Sequence, residues 1–148
     1  MPLDRPISEL LKEPNRTWTP KPPAEEVEIA ELQKAVPFEL PEEYIELLRY
    51  CNGGYGELNA PPELLQLDSI AESVDQNMTW HNEEQFTDFW FIGGNGGVET
   101  IGFDLRGGQP WPLVMIDCIA GDTSAEQIAV DMADFITKIG IEAEHPEE

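Results

Sequence analysis

The sequence predicts an α+β fold, a mostly antiparallel sheet with helices packed on one side, in a single domain. Three observations carry this expectation. Apolar residues recur at helical spacing near both ends of the chain, as in Tyr44, Leu47, Leu48 and Cys51. Short apolar or alternating runs of strand length fill the middle. Glycine turns join those runs in succession, which favours antiparallel pairing with helices laid against one face. A length of 148 residues suits one domain with its own core.

Each element follows in order. Residues 1–23 contain six prolines and read as an N-terminal arm, with one helical turn at Ile7, Leu10 and Leu11 and otherwise extended chain along the surface. The domain proper is expected over 24–141. Ile29, Leu32 and Val36 mark a first helix with Glu25, Glu26, Glu28 and Glu31 around its start. Pro41 opens a second helix, which Asn52-Gly53-Gly54 stops. Tyr55–Leu58 and Leu64–Leu67 read as strands, and Ser69…Glu72 as a capping box before a short helix reaching Met78. Phe89–Ile92 is a buried strand, and the glycine run 93–97 turns the chain. Ile101, Phe103 and Leu105 alternate as in a half-buried strand, and 111–118 has the apolar character of a central one. Thr123…Glu126 and Ser124…Gln127 predict the start of a terminal helix carrying Ile128, Met132, Phe135, Ile136 and Ile139 to Gly140. An acidic tail, 142–148, follows.

Charge narrows the partner class. Eight Lys and Arg against 30 Asp and Glu give −22, and from Pro41 onward 22 acids face only Arg49, Arg106 and Lys138. Such a chain repels phosphate, so neither nucleic acid nor an anionic membrane is the expected partner, whereas a basic protein is drawn in at long range. No signal-like start or bilayer-length apolar run is present, so a cytoplasmic protein with reduced Cys51 and Cys118 is expected.

The motifs also resemble a known family. Leu40-Pro41-Glu42-Glu43-Tyr44, running through Leu47-Leu48 into Asn52-Gly53-Gly54, resembles the opening signature of the SUKH superfamily of Smi/Knr-type immunity and regulatory domains. Phe91-Ile92-Gly93, the turn containing Gly96 and Gly97, and the strand ending in Phe103-Asp104-Leu105-Arg106 fit its second block. Pro112 to Cys118, leading to a helix through Phe135, keeps the order of the third. Asn95 departs from the acidic or small polar residue expected there, yet suits a turn. The resemblance implies an α+β domain without catalytic chemistry or cofactor. It also implies a protein partner, a toxin in many bacterial members and an endogenous protein in fungal regulatory ones.

The residues offer little chemistry of their own. His81 and His145 lack companions at ligand spacing, and no nucleophile motif or Gly-Lys-Ser/Thr phosphate loop occurs. Asp104, Asp117 and Asp122 end predicted strands and could share a cation, but turn and helix-start roles suit them better. Trp80 and Phe86, ringed by Glu83, Glu84 and Asp88, have the character of an interface anchor with an acidic rim. Together with Glu42, Glu43 and Glu46 they form the candidate partner-binding set. The reading is a non-enzymatic domain that occludes a basic toxin, with a nuclease as the candidate class. A regulatory scaffold for an endogenous protein is the alternative, and a small metal-dependent enzyme using the three aspartates the third.

Overall fold

The structure, a computed structural model, describes residues 3, 5–80 and 87–142, apart from the side chain of Asp122. In chain order its elements are α1 (Ile7–Leu10), β1 (Trp18–Pro20), α2 (Glu26–Ala35), α3 (Glu42–Tyr50), β2 (Gly54–Glu57), β3 (Leu64–Leu67), α4 (Ile70–Trp80), β4 (Phe89–Gly94), β5 (Glu99–Asp104), β6 (Leu113–Asp117), β7 (Glu126–Ala129) and α5 (Met132–Lys138). The seven strands lie side by side in sequence order, each antiparallel to the next. The α+β expectation therefore holds. Among the described residues no helix is long and apolar enough to cross a membrane.

One pleat face of the sheet carries the larger core. Leu65, Leu67, Trp90, Ile92, Ile101 and Phe103 meet Ile29 and Leu32 of α2, Tyr44, Leu47 and Leu48 of α3, and Phe135 and Ile136 of α5. Tyr44 is fully buried, edge-on to Phe103 at 5.6 Å, and Leu40 is buried beside it in sequence. On the other face Phe89, Phe91, Val114 and Ile116 form a smaller cluster, against which Trp80 at the end of α4 packs. β4 and β5 are thus buried on both sides. Phe103 was expected in a half-buried strand; in β5 only the end residues Glu99 and Asp104 are half-buried, since Thr100 and Gly102 on the second face are buried as well.

The Asn52-Gly53-Gly54 motif does more than end α3. The Asn52 side-chain carbonyl accepts the Ile70 N–H at 2.8 Å, capping α4 from a distance of 18 residues. A Cβ on Gly53 would meet the Leu67 carbonyl at 3.0 Å, and one on Gly54 the Thr19 carbonyl and the Trp18 ring at 2.7 Å each. Both glycines also have positive φ, 103° and 156°. Bare backbone here lets β1 and the end of β3 close on the turn. The predicted capping box at Ser69 and Glu72 forms reciprocally, at 3.2 and 2.9 Å.

Two expectations change. The terminal helix does not begin near Thr123. Glu126–Ala129 is instead an edge strand on β6, with a bulge opposite Leu113 and Val114, and the helix starts only at Met132. Ser124 serves the preceding turn, donating to the Gly121 carbonyl at 2.7 Å, while Asp131 caps the helix by accepting the Asp134 N–H at 2.8 Å. Strand pairing to β6 outweighs the coincidental four-residue step from Ile128 to Met132. The arm is likewise built into the fold. Ile7, Leu10 and Leu11 join the core, and β1 extends the sheet. Arg16 donates to the Ile139 carbonyl at 2.7 Å and the Thr137 carbonyl at 3.1 Å, tying the arm to the end of α5.

Candidate functional site

Of the candidate interface residues, Glu42, Glu43 and Glu46 project from the first turns of α3. Glu42 and Glu46 are exposed, because the i, i+3, i+4 positions Tyr44, Leu47 and Leu48 take the buried stripe. The three carboxylates line a cleft of about 260 Å³ whose other wall is Leu3, Arg5, Pro6 and Ile7 of the arm. Arg5 pairs with Glu13. Arg49, the cation of α3, is taken up by Glu26 at 2.9 Å and Glu46 at 3.2 Å. Its guanidinium holds the Glu26 carboxyl below the usual range. Adding the first turns of α2, the acids Glu25, Glu26, Glu28, Glu31, Glu42, Glu43 and Glu46 outnumber Lys34 and Arg49 by seven to two over these neighbouring helices.

The second half of the candidate set divides. Glu83, Glu84 and Phe86 lie outside the described residues. Asp88 is exposed ahead of β4, where its carbonyl accepts the Leu105 N–H at 2.9 Å. Trp80 is half-buried, edge-on to Phe91 at 5.1 Å, so at least part of its ring serves the packing beneath it.

Of the three aspartates weighed as cation ligands, Asp104 and Asp117 stand at opposite ends of β5 and do not converge, while the side chain of Asp122 lies outside the described residues. Asp104 ends β5 and is held by Arg106, whose N–H and guanidinium donate at 2.9 to 3.0 Å and keep its carboxyl low. Asp117 pairs with Glu99 at the opposite end of β5 and accepts the Ile119 N–H at 2.8 Å and the Ala120 N–H at 3.2 Å. Both act as turn residues. Among the described residues no three His, Cys, Asp or Glu side chains stand where they could hold a metal ion together. Cys51 and Cys118 are free thiols, and burial pushes the Cys51 thiol up to about 11.

The glycine run turns between β4 and β5, with Asn95 accepting the Gly97 N–H at 2.8 Å. Gly93 and Gly94 belong to β4, so the loop is only residues 95–98, and because a strand rather than a helix follows it, it offers no phosphate cradle. With Leu40, Pro41, Tyr44, Asn52, Gly53 and Gly54 placed in core, cap or turn roles, the motif residues shape the domain. The SMI1 / KNR4 family (SUKH-1) matches residues 23–138 of this chain, most of its length. The chain belongs to that family. No curated protein matches it. The matched span of this SUKH-1 domain starts after β1, so the arm that walls the α3 cleft lies outside what the family match covers.

Two features of the SUKH-1 domain escaped the reading of its sequence. The first is Asn77, fully buried on α4. Its amide donates to the Phe91 carbonyl at 2.8 Å and its carbonyl accepts the Phe91 N–H at 2.8 Å. β3 pairs with β4 only at Gly93 and Gly94, so Asn77 stands in for the missing strand partner. The available signal was the spacing of Ile70, Ser73 and Asn77, which puts two polar residues on the buried side of the helix. The second is a larger groove, about 680 Å³, beside the hairpin of β2 and β3 and away from the acidic helices. The alternation of Thr17, Thr19, Tyr55 and Glu57 with Trp18, Gly54 and Gly56 would have pointed to it once β1 was known to be a strand.

Proposed function

We propose that this SUKH-1 domain is a non-enzymatic immunity protein that binds a basic toxin domain and denies the toxin's active site to its substrate. The observation that carries the reading is the acidic surface of α2 and α3, where seven carboxylates face two cations, one of them already engaged by Glu26 and Glu46. Enzymes that act on nucleic acid need a basic cleft to bind phosphate, so a nuclease toxin presents the matching field. Long-range attraction between such surfaces raises association rates and falls with added salt. The occluding contact is centred on Glu42, Glu43 and Glu46, where Leu3, Arg5, Pro6 and Ile7 of the arm form the other wall of the cleft.

The test uses the purified full chain as bait for a basic toxin domain encoded beside its gene, with washes at low and high salt. Capture that weakens as salt rises, and that is lost when Glu42, Glu43 and Glu46 are all changed to Lys, is the expected result. Equal capture by that triple variant would sink the assignment of this face. Recovery of endogenous, non-toxic proteins alone would replace the toxin by a regulatory partner.

A further inference from the structure

We propose that the outer face of β1, β2 and β3 is a self-association surface, on which a second copy of this chain docks. This inference is independent of the acidic helices, which lie on the opposite pleat face. Trp18, Gly54, Gly56, Leu65 and Leu67 point to the core, so Thr19, Tyr55, Leu64 and Gln66 point away from it. Register places Thr19, Tyr55 and Gln66 in one cross-strand row, and Glu57 opposite Leu64 in the next. Tyr55 is 59% exposed and Leu64 56%, two large apolar side chains on paired strands with no helix over them among the described residues.

The face differs from the rest of the molecule in charge. The chain carries −22, yet the groove over this face, lined also by Thr17 and Asn95, contains one cation and one anion, Arg16 and Glu57, for a sum of zero. Both are internally engaged: Arg16 by Glu13 and two carbonyls, Glu57 by the Thr17 hydroxyl at 2.9 Å. Charge depletion around an aromatic centre marks the middle of protein interfaces. The occupant follows from the same charges. Two copies of a strongly acidic chain meet at least cost where each presents the fewest carboxylates, and the lining of this groove holds only Glu57, whose partner is the Thr17 hydroxyl. The hydroxyl and amide groups of Thr19, Gln66 and Asn95 each donate and accept, so the face is complementary to itself. A twofold rotation sets Tyr55 of one copy against Leu64 of the other, and twofold dimers are the commonest closed assembly. An extended peptide could add only along the outer edge of β1, a strand of three residues that ends in Pro20, which has no N–H to donate.

The salt response identifies the interaction. Remaining acids of the two copies repel, so the dimer tightens as salt rises, opposite to capture of a basic partner. Sedimentation equilibrium of the full chain, from about 0.01 M to about 1 M salt, shortens the screening length from about 30 Å to about 3 Å. The expected result is a monomer at the low end and a dimer at the high end, with the dissociation constant falling at least about tenfold, or about 1.4 kcal/mol. Tyr55→Arg and Leu64→Glu should each abolish the dimer at all salts with an unchanged urea midpoint. Val27→Ser, removing an exposed apolar residue of α2, should leave it intact. A monomer under every condition overturns the proposal, as does a dimer that survives both face variants.

Discussion

The two halves of the sheet are built from the same antiparallel pairing yet end in different environments. In β4 to β6 the outer pleat face carries Phe89, Phe91, Val114 and Ile116, and Trp80 closes over them. In β1 to β3 the equivalent face carries Thr19, Tyr55, Leu64 and Gln66, and no element covers it among the described residues. The boundary between the halves is the short β3–β4 pairing, where Asn77 takes over from the strand ladder. A sheet can therefore be a core element at one end and a presenting surface at the other. The switch is made by a helix leaving β3 and by one buried amide.

The difference can be broken most severely at its covered end. Phe91→Ala should lower unfolding free energy by about 3–5 kcal/mol, since it empties a ring from the second cluster. Urea denaturation checks it, and a loss below about 1 kcal/mol would mean that the cluster is not a packed unit. Next comes Asn77→Ala, which leaves the Phe91 N–H without its acceptor and removes one donor to its carbonyl. A loss of about 2–3 kcal/mol is expected, with hydrogen exchange at Phe91 accelerated ahead of that at Ile101. Equal acceleration at both sites would contradict a local strand-substitute role.

Asp68, at the end of β3, gives a pH-dependent reading of the same boundary. Burial, with Glu72 nearby, pushes its carboxyl up to about 6 against the opposing pull of Lys21. The folded state thus holds a proton that the unfolded chain has already released. The contribution of Asp68 to stability falls as pH rises from about 4 to about 6 and stays low above that. Asp68→Asn should match the parent near pH 4 and exceed it in urea midpoint at pH 7. A constant offset across that range would assign the effect to packing. The smallest effect belongs to the uncovered end. Tyr55→Ser should move the urea midpoint of the monomer, at low salt, by no more than about 0.5 kcal/mol equivalent. A larger loss would mean that the face is already part of the core.

What the sequence determined by itself was what local spacing encodes. The stripe Tyr44, Leu47, Leu48 and Cys51 dictated α3, the Ser69–Glu72 box dictated the start of α4, and the apolar runs at Phe89 and Leu113 dictated buried strands. The Leu40–Gly54 block likewise pointed to the family before any fold was in view. The carboxylates of α3 were legible as a surface because the apolar stripe leaves them the other side of the helix. Only the tertiary structure decided that the arm supplies β1, that Glu126–Ala129 is a strand, and that Asn77 completes the β4 backbone. It also decided that Tyr55 and Leu64 share an uncovered face. Each of these depends on a partner many residues away. A strand of three or four residues has too little periodicity to announce itself, and its hydrogen bonds exist only once the neighbouring strand is in place.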